Sequence, residues 1–375
     1  MLETPPDEFR FIAEQAALEA LCGTLGTATW LALDTEFERS RSFYAELCLV
    51  QIAAPGVLVC IDPFAVESLV PLMSVLASGT APKLAHAARQ DLEVLYGIDS
   101  RLPAPLFDTQ LAAGLAGYAD NIGYADLVQQ LLGVSIDKSQ TRTDWRQRPL
   151  TAAQLDYAAA DVLHLAPIME VLAEKLASLG RSAWLAEDCQ ALLSSDSYRQ
   201  SPHTAWQRLR GLQSLPVSAQ ARAIGLAAWR ESTAQSRNLP RGWVLKDEEL
   251  MALASAVPTT LSALSVLCPN NGSVRRHGDA ILEILRAPPA VVDPPLTTRR
   301  LSAAGRALLK QFAARAQDIA QQLGLVSTLL ITRRELEALI AGEPVPRVRD
   351  GWRGSVLVEL LAMRPDPADS SLWES

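Results

Sequence analysis

No stretch of the 375 residues approaches the roughly 20 consecutive apolar positions a membrane-spanning helix needs. The first eight residues, Met1-Leu2-Glu3-Thr4-Pro5-Pro6-Asp7-Glu8, are acidic and lack the basic start and apolar core of a secretory signal. Cysteine is scarce and unpatterned. Cys22, Cys48, Cys60, Cys189 and Cys268 are odd in number and form no Cys-x-x-Cys pair, which leaves a zinc site with little support. These absences predict a cytoplasmic protein with reduced core thiols and no membrane association. Strand-like patterns are also missing beyond about residue 195.

What is present begins with charge. The net charge of −8 divides unevenly. Residues 1–190 carry 12 Lys+Arg against 25 Asp+Glu, and residues 191–375 carry 22 against 17. A basic half attached to an acidic half suggests that the second half meets a polyanion; composition drift between domains is the plainer alternative.

Trp30-Leu31-Ala32-Leu33-Asp34-Thr35-Glu36-Phe37 reads as a strand entering a buried sheet. Strand side chains alternate, so Asp34 and Glu36 share one face. Two carboxylates there are costly without a positive partner, and a divalent metal is the usual one. Asp-x-Glu alone is a weak signal, since it recurs at Asp91/Glu93 and Asp247/Glu249. The apolar lead-in distinguishes the first copy.

The spacing predicts a helix over 8–23, strands over 46–53 and 57–62, a helix near 65–78, a short strand over 83–86 and a helix over 89–96. A strand over 106–109 and helices to about 190 complete a mixed α/β sheet covered by helices. Ser194-Ser195-Asp196-Ser197 reads as a linker. Beyond it, Arg222-Ala223, Trp229, Leu239, Leu245 and Glu249-Leu250 are echoed by Arg306-Ala307, Phe312, Leu323, Leu329 and Glu335-Leu336. The offset is 84 residues at the start and 86 at the end, with Pro288-Pro289 and Pro294-Pro295 between the copies. Two helical modules of one type are expected. The boundaries fall at 1–194, 200–287 and 296–375.

Leu155–Leu165 is Ala-rich and apolar-periodic, hence helical, with Tyr157 and Asp161 one turn apart on one face. If that face meets the strand end with Asp34 and Glu36, and Asp91 joins them, four carboxylates and a phenol converge. Such a cluster cannot fully ionise without cations. Two divalent ions about 3.5–4 Å apart would satisfy it, one activating water and the other stabilising the leaving 3′-oxygen. Taken singly, Asp91 reads as a helix-start residue satisfying free N–H groups and Asp161 as a surface acid.

Three motifs resemble those of the DEDD exonuclease superfamily, tyrosine subclass, on a ribonuclease-H-like α/β fold: Asp34-Thr35-Glu36-Phe37, His86–Leu95 and Tyr157-Ala158-Ala159-Ala160-Asp161. The stretch Lys138–Leu150 and Phe107-Asp108-Thr109-Gln110 bring the chain closer to the bacterial ribonuclease D family. The helical copies resemble two HRDC domains. The resemblance implies a 3′→5′ exoribonuclease that releases 5′-mononucleotides and trims tRNA precursors and other small RNAs. It also implies two Mg²⁺ or Mn²⁺ ions held by Asp34, Glu36, Asp91 and Asp161, with Tyr157 orienting the nucleophile. A monomer is expected. His86, Trp145, Arg146 and Arg148 are weaker candidates for RNA contact, with structural roles open for His86 and Trp145. Arg275-Arg276, Arg299-Arg300 and Arg333-Arg334 are candidate phosphate contacts. The rival readings are a DNA exonuclease of the same chemistry and a non-catalytic RNA-binding protein.

Overall fold

The structure is a computed structural model that describes residues 4–6, 8–137, 140, 143–269, 272–287, 300–366 and 369–374. Lys138, Ser139, Thr141 and Arg142 of the 138–150 stretch, both proline pairs and Arg299 lie outside the described residues. The chain condenses into two compact units. The first takes residues 1–37, 47–198 and 300–375, and the second takes 38–46 and 199–299. Among the described residues no helix is long and apolar enough to cross a membrane.

In the first unit the chain runs through β1 (Arg10–Ile12), α1 (Gln15–Leu25), β2 (Leu31–Glu38), β3 (Glu46–Ala54), β4 (Val57–Ile61), α2 (Val70–Leu76) and β5 (Lys83–Ala85). It continues through α3 (Arg89–Asp99), β6 (Leu106–Asp108), α4 (Thr109–Leu115), α5 (Tyr124–Leu132), α6 (Ala152–Leu163), α7 (Leu165–Ser178) and α8 (Ser182–Leu192). The sheet order is β1-β4-β3-β2-β5-β6. The chain around residue 10 is thus an edge strand, parallel to β4, where periodicity predicted helix. Three residues are too short for periodicity to separate the two states.

The Pro55-Gly56 turn joins β3 and β4 as an antiparallel pair. β2, β5 and β6 run parallel, Leu31 opposite Lys83 and Lys83 opposite Leu106. Their carboxyl ends therefore share one edge, where open α/β sheets place their sites. The apolar lead-in to β2 is fully buried: Trp30, Leu31, Ala32 and Leu33 are each at most 2% exposed. Ala158, Ala159 and Val162 of α6 pack on Trp30, Ala32, Leu49, Leu58 and Cys60. The small alanines let this helix lie close to the sheet.

The second unit is helical: α9 (Val217–Arg237), α10 (Arg241–Val244), α11 (Asp247–Ala256), α12 (Leu261–Leu267) and α13 (Gly272–Arg286). Its core gathers Leu226, Leu245, Leu250, Leu253, Leu264 and Ile281. Glu231, fully buried, is held by Arg208 and Arg241 at 3.2 and 2.6 Å. Residues 38–46, from the end of β2 to the start of β3, belong here. Phe43 packs on Ala234 and Val244 beneath the Arg241 guanidinium. The Phe43 and Tyr44 N–H groups donate to Asn238 Oδ1 at 3.1 and 3.0 Å. Asn238 ends α9 in the left-handed region, a common helix stop.

The chain then returns to the first unit as α14 (Ala303–Leu323), α15 (Ser327–Leu330), α16 (Arg333–Ile340), α17 (Pro346–Arg349), α18 (Gly351–Val356) and α19 (Val358–Ala362). These helices dock on α8 and α4. Arg353 grips Asp188 with two hydrogen bonds of 2.5 and 3.0 Å, and Trp352 Nε1 donates to the same carboxylate at 3.2 Å. Trp352 stacks on Trp184, ring centres 4.4 Å apart. Arg181 donates to Leu115 O and Leu323 O. Glu187 lies so close to Gly351 that a Cβ there would overlap its carboxylate, and φ of +67° also favours glycine.

The side chains of Arg353 and Asp188 are 7% and 11% exposed, so removing one leaves the other a buried lone charge. Arg353→Met should destabilise the first unit by about 3–5 kcal/mol, and Arg353→Met/Asp188→Leu should recover much of that loss. Thermal melting of both variants, with limited proteolysis of residues 300–375, checks this. Wild-type melting of the single variant would show that the pair does not hold these helices.

Candidate active site

The site forms at the carboxyl edge of the parallel strands. Asp34 and Glu36 stand on β2, as its alternation predicts. Asp161 comes from α6 and Asp91 from the first turn of α3. One carboxylate oxygen each from Asp34, Glu36 and Asp161 lie within 4.8 Å of one another. Asp91 is buried beside them, and its Oδ1 accepts from Thr35 Oγ1 at 2.5 Å. Tyr157 hydrogen-bonds Asp161 one turn along α6. Among the described residues no Lys, Arg or His forms an ion pair with any of these four acids.

Burial pushes all four carboxyls up, and repulsion from the neighbouring acids adds to it at Asp34 and Glu36. Asp34 rises well above the usual carboxylate range through burial, then through the charges of Asp91, Asp161 and Glu36. Glu36 is pushed up to about 8 by burial, then by Asp161 and Asp91. Burial raises Asp161 to about 7 against the opposing hydrogen bond from Tyr157. Burial raises Asp91 to about 6, with the Thr35 hydroxyl pulling the other way. An all-carboxylate, all-oxygen set suits a hard divalent cation and is a poor match for soft metals.

Local structure holds α6 in place. Thr151 Oγ1 accepts from Gln154 N–H at 3.2 Å, and Gln154 Oε1 accepts from Thr151 N–H at 2.9 Å, closing a capping box. The helix breaks at His164, three residues after Asp161. Tyr124 bridges the break: its hydroxyl donates to Ala160 O at 3.0 Å and accepts from His164 N–H at 3.2 Å.

The weaker sequence candidates lie in structural settings. Trp145 is 5% exposed, its ring 6.1 Å from that of Tyr157. Arg148 binds both oxygens of Asp62 at 2.7 and 2.8 Å, donates to Cys48 O and lies over the Phe64 ring. His86 Nε2 donates to Ile122 O and Nδ1 meets Thr109 Oγ1, both at 2.9 Å, and burial keeps the ring neutral. Arg146 pairs with Asp144 and is 30% exposed. Arg333 pairs with Glu337 one turn along α16.

Thr35, Asp108 and Tyr124 touch this framework and were not candidates from sequence. Thr35 reads only as the spacer between two acids. Asp108 was read within a strand and a family-like stretch, with no hint that it caps one helix and secures another. Tyr124 carries no local signal at all.

The chain matches a family model described as a 3′-5′ exonuclease over residues 9–177 and one described as an HRDC domain over residues 220–285. It is 36% identical over 350 residues to ribonuclease D of Jannaschia sp. (strain CCS1), covering 90% of each chain. It is 36% identical over 365 residues to ribonuclease D of Pseudomonas paraeruginosa (strain DSM 24068 / PA7), covering 94% of this chain and 96% of that one. Among solved structures it resembles Escherichia coli RNase D, described as an exoribonuclease involved in structured RNA processing. That match has 30% identity and a TM-score of 0.86, and covers 95% and 98% of the two chains. The catalytic core of RRP6 from Trypanosoma brucei shares the fold at 24% identity and a TM-score of 0.59, over 74% and 79% of the chains.

The raised carboxyls make stability fall with pH. Each keeps its proton to higher pH when folded than in the unfolded chain, where it titrates near 4. Between roughly pH 4 and 8 the folded state therefore binds more protons, and stability drops as pH rises through that window. In EDTA the melting temperature should fall from pH 5 to pH 8. Asp34→Asn should flatten the fall, and Mn²⁺ should stabilise the wild type more at pH 8 than at pH 5. A melting temperature in EDTA that rises across this range would contradict the electrostatic account.

Proposed function

The chain belongs to the ribonuclease D family of 3′→5′ exoribonucleases, and we propose that Asp34, Glu36, Asp91 and Asp161 hold its divalent metal while Tyr157 orients the attacking water. The enzyme is a phosphodiester hydrolase acting on RNA and depends on a divalent metal. The observation that carries the residue assignment is the gathering of Asp34, Glu36 and Asp161 oxygens within 4.8 Å, with Asp91 alongside and no protein cation paired to them among the described residues. Two ions, Mg²⁺ or Mn²⁺, suit four carboxylates. When bound they supply an activated water and neutralise charge developing at the phosphodiester.

The residues' own work is positional. Asp34 and Glu36, fixed by a buried strand, and Asp161, fixed by a capped helix, present oxygens on a common point. Tyr157 stays protonated at neutral pH, so it is a poor general base. Its hydroxyl, now given to Asp161, serves to hold water by a hydrogen bond. The product is a 5′-mononucleotide released from the 3′ end. The proposed substrates are 3′ ends of tRNA precursors and other small RNAs, met by a monomer in the cytoplasm.

The proposed division is an exonuclease domain at 1–194 and HRDC-like modules at 200–287 and 296–375. The basic surplus is larger in the first module: residues 200–287 carry 10 Lys+Arg and 6 Asp+Glu, against 11 and 9 in 296–375. There Arg237 and Arg276 both press on His277 and lower its pKa after burial does. Trp243 is 57% exposed. We propose that this module anchors RNA, with Arg237 and Arg276 as phosphate contacts and Trp243 as a stacking platform.

Arg237→Ala and Arg276→Ala should weaken single-strand RNA binding and each reduce the salt slope by roughly 1, across sequences alike. An unchanged slope in a salt titration would remove these residues from the interface. Tyr157→Phe keeps the ring and removes the hydroxyl. Turnover should fall by roughly 10²–10³, as for single transition-state donors, with affinity little changed. Single strands of RNA and DNA incubated with Mg²⁺, Mn²⁺ or EDTA provide the assay. Near-wild-type turnover in Tyr157→Phe would leave the ring a packing role only.

A further inference from the structure

Asp108 lies at the end of β6 and is 1% exposed. Its carboxylate serves two helices at once. Oδ1 accepts from Gln110 N–H at 2.8 Å and Leu111 N–H at 3.1 Å, capping α4. Oδ2 accepts from Ala88 N–H at 2.8 Å, and Oδ1 receives a longer bond of 3.3 Å from Ala87 N–H. Ala88 is the residue from which α3 starts, and Asp91 is the third residue of that helix. Ala87 has φ of +57°, a left-handed conformation unfavourable for alanine. The turn between β5 and α3 is thus strained, and a buried carboxylate on the neighbouring strand secures it.

The other end of the same link is Thr35. It is 5% exposed and sits between Asp34 and Glu36 on β2, its side chain on the opposite face by alternation. Its hydroxyl donates to Asp91 Oδ1 at 2.5 Å. Asp91 is thereby held from both sides. Asp108 fixes the helix that carries it, and Thr35 fixes one of its carboxylate oxygens relative to β2.

We infer that Asp108 and Thr35 are positioning residues for Asp91, setting where its carboxylate meets the metal. This rests on the proposed role of Asp91 as a ligand. Neither residue need touch RNA. Their effect belongs on turnover and metal affinity, with the Michaelis constant for RNA spared.

Asparagine at 108 separates the two helices. Its remaining oxygen can keep the α4 cap, while its amide group faces the Ala88 N–H, donor against donor. Asp108→Asn should therefore fold and release the start of α3. Thr35→Val removes only the hydroxyl at constant shape, and Thr35→Ser retains it. With Asp91→Asn as the reference, full-length protein is tested for turnover on a short RNA, for circular dichroism, and for Mn²⁺ binding by calorimetry without RNA. Asp108→Asn and Thr35→Val should each lose turnover on the order of 10²-fold, the scale of a small misplacement. Both should bind Mn²⁺ more weakly with the Michaelis constant little changed, and Thr35→Ser should restore both properties. Adding either change to Asp91→Asn should cost nothing further. Wild-type turnover in Asp91→Asn would defeat the ligand reading itself. An impaired Asp91→Asn, beside Asp108→Asn and Thr35→Val variants that melt lower yet bind Mn²⁺ and turn over normally, would defeat the positioning role alone. Thr35→Val decides the matter if Asp108→Asn does not fold.

Discussion

Four carboxylates in one small volume repel one another, and much of the first unit's construction answers that repulsion. Burial removes the solvent that would otherwise screen them. The acids come from three elements, β2, α3 and α6, so no single helix or strand has to carry all the unfavourable charge. Each element is pinned separately: β2 by its apolar lead-in, α6 by its capping box and by Tyr124 across the break at His164, and α3 by Asp108. A cation of suitable size turns that cost into affinity.

The parts of this arrangement legible in the sequence were those written in short-range periodicity. Alternation on β2 puts Asp34 and Glu36 on one side, and helical spacing puts Tyr157 and Asp161 on another. The resemblance to known motifs then joined the two. Long-range contacts were not legible. Asp188 and Arg353 lie 165 positions apart, and nothing near either announces the other. The same holds for Asp62 and Arg148, where an exposed-looking arginine in a basic stretch proves to be half of a part-buried pair. Asp108 was visible only as part of the strand over 106–109 and of the Phe107-Asp108-Thr109-Gln110 stretch. Its second role depends on β5 and β6 being neighbours, which local pattern does not reveal.

Charge is distributed unevenly along the chain. The acidic half, residues 1–190, holds the carboxylate cluster. The basic surplus is concentrated in residues 199–299, while the last helices are nearly neutral and spend Arg353 and Arg347 on carboxylates of their own unit. Both segments nonetheless use arginines in pairs of their own: Arg208, Arg230 and Arg241 bind Glu231 and Asp247 in the one, as Arg347 and Arg353 bind Glu335 and Asp188 in the other.

The first unit is discontinuous, taking its final segment from residues 300–375 after the whole of 199–299 has intervened. On the ribosome, α8 emerges long before the helices that cover it. At about 5–20 residues per second the interval is on the order of ten seconds. During that time Asp188 and Glu187 lack Arg353 and the Trp352 N–H groups, and Trp184 lacks its stacking partner. Completion of the first unit therefore waits for residues 300–375, and a chain released before they are made leaves that surface uncovered.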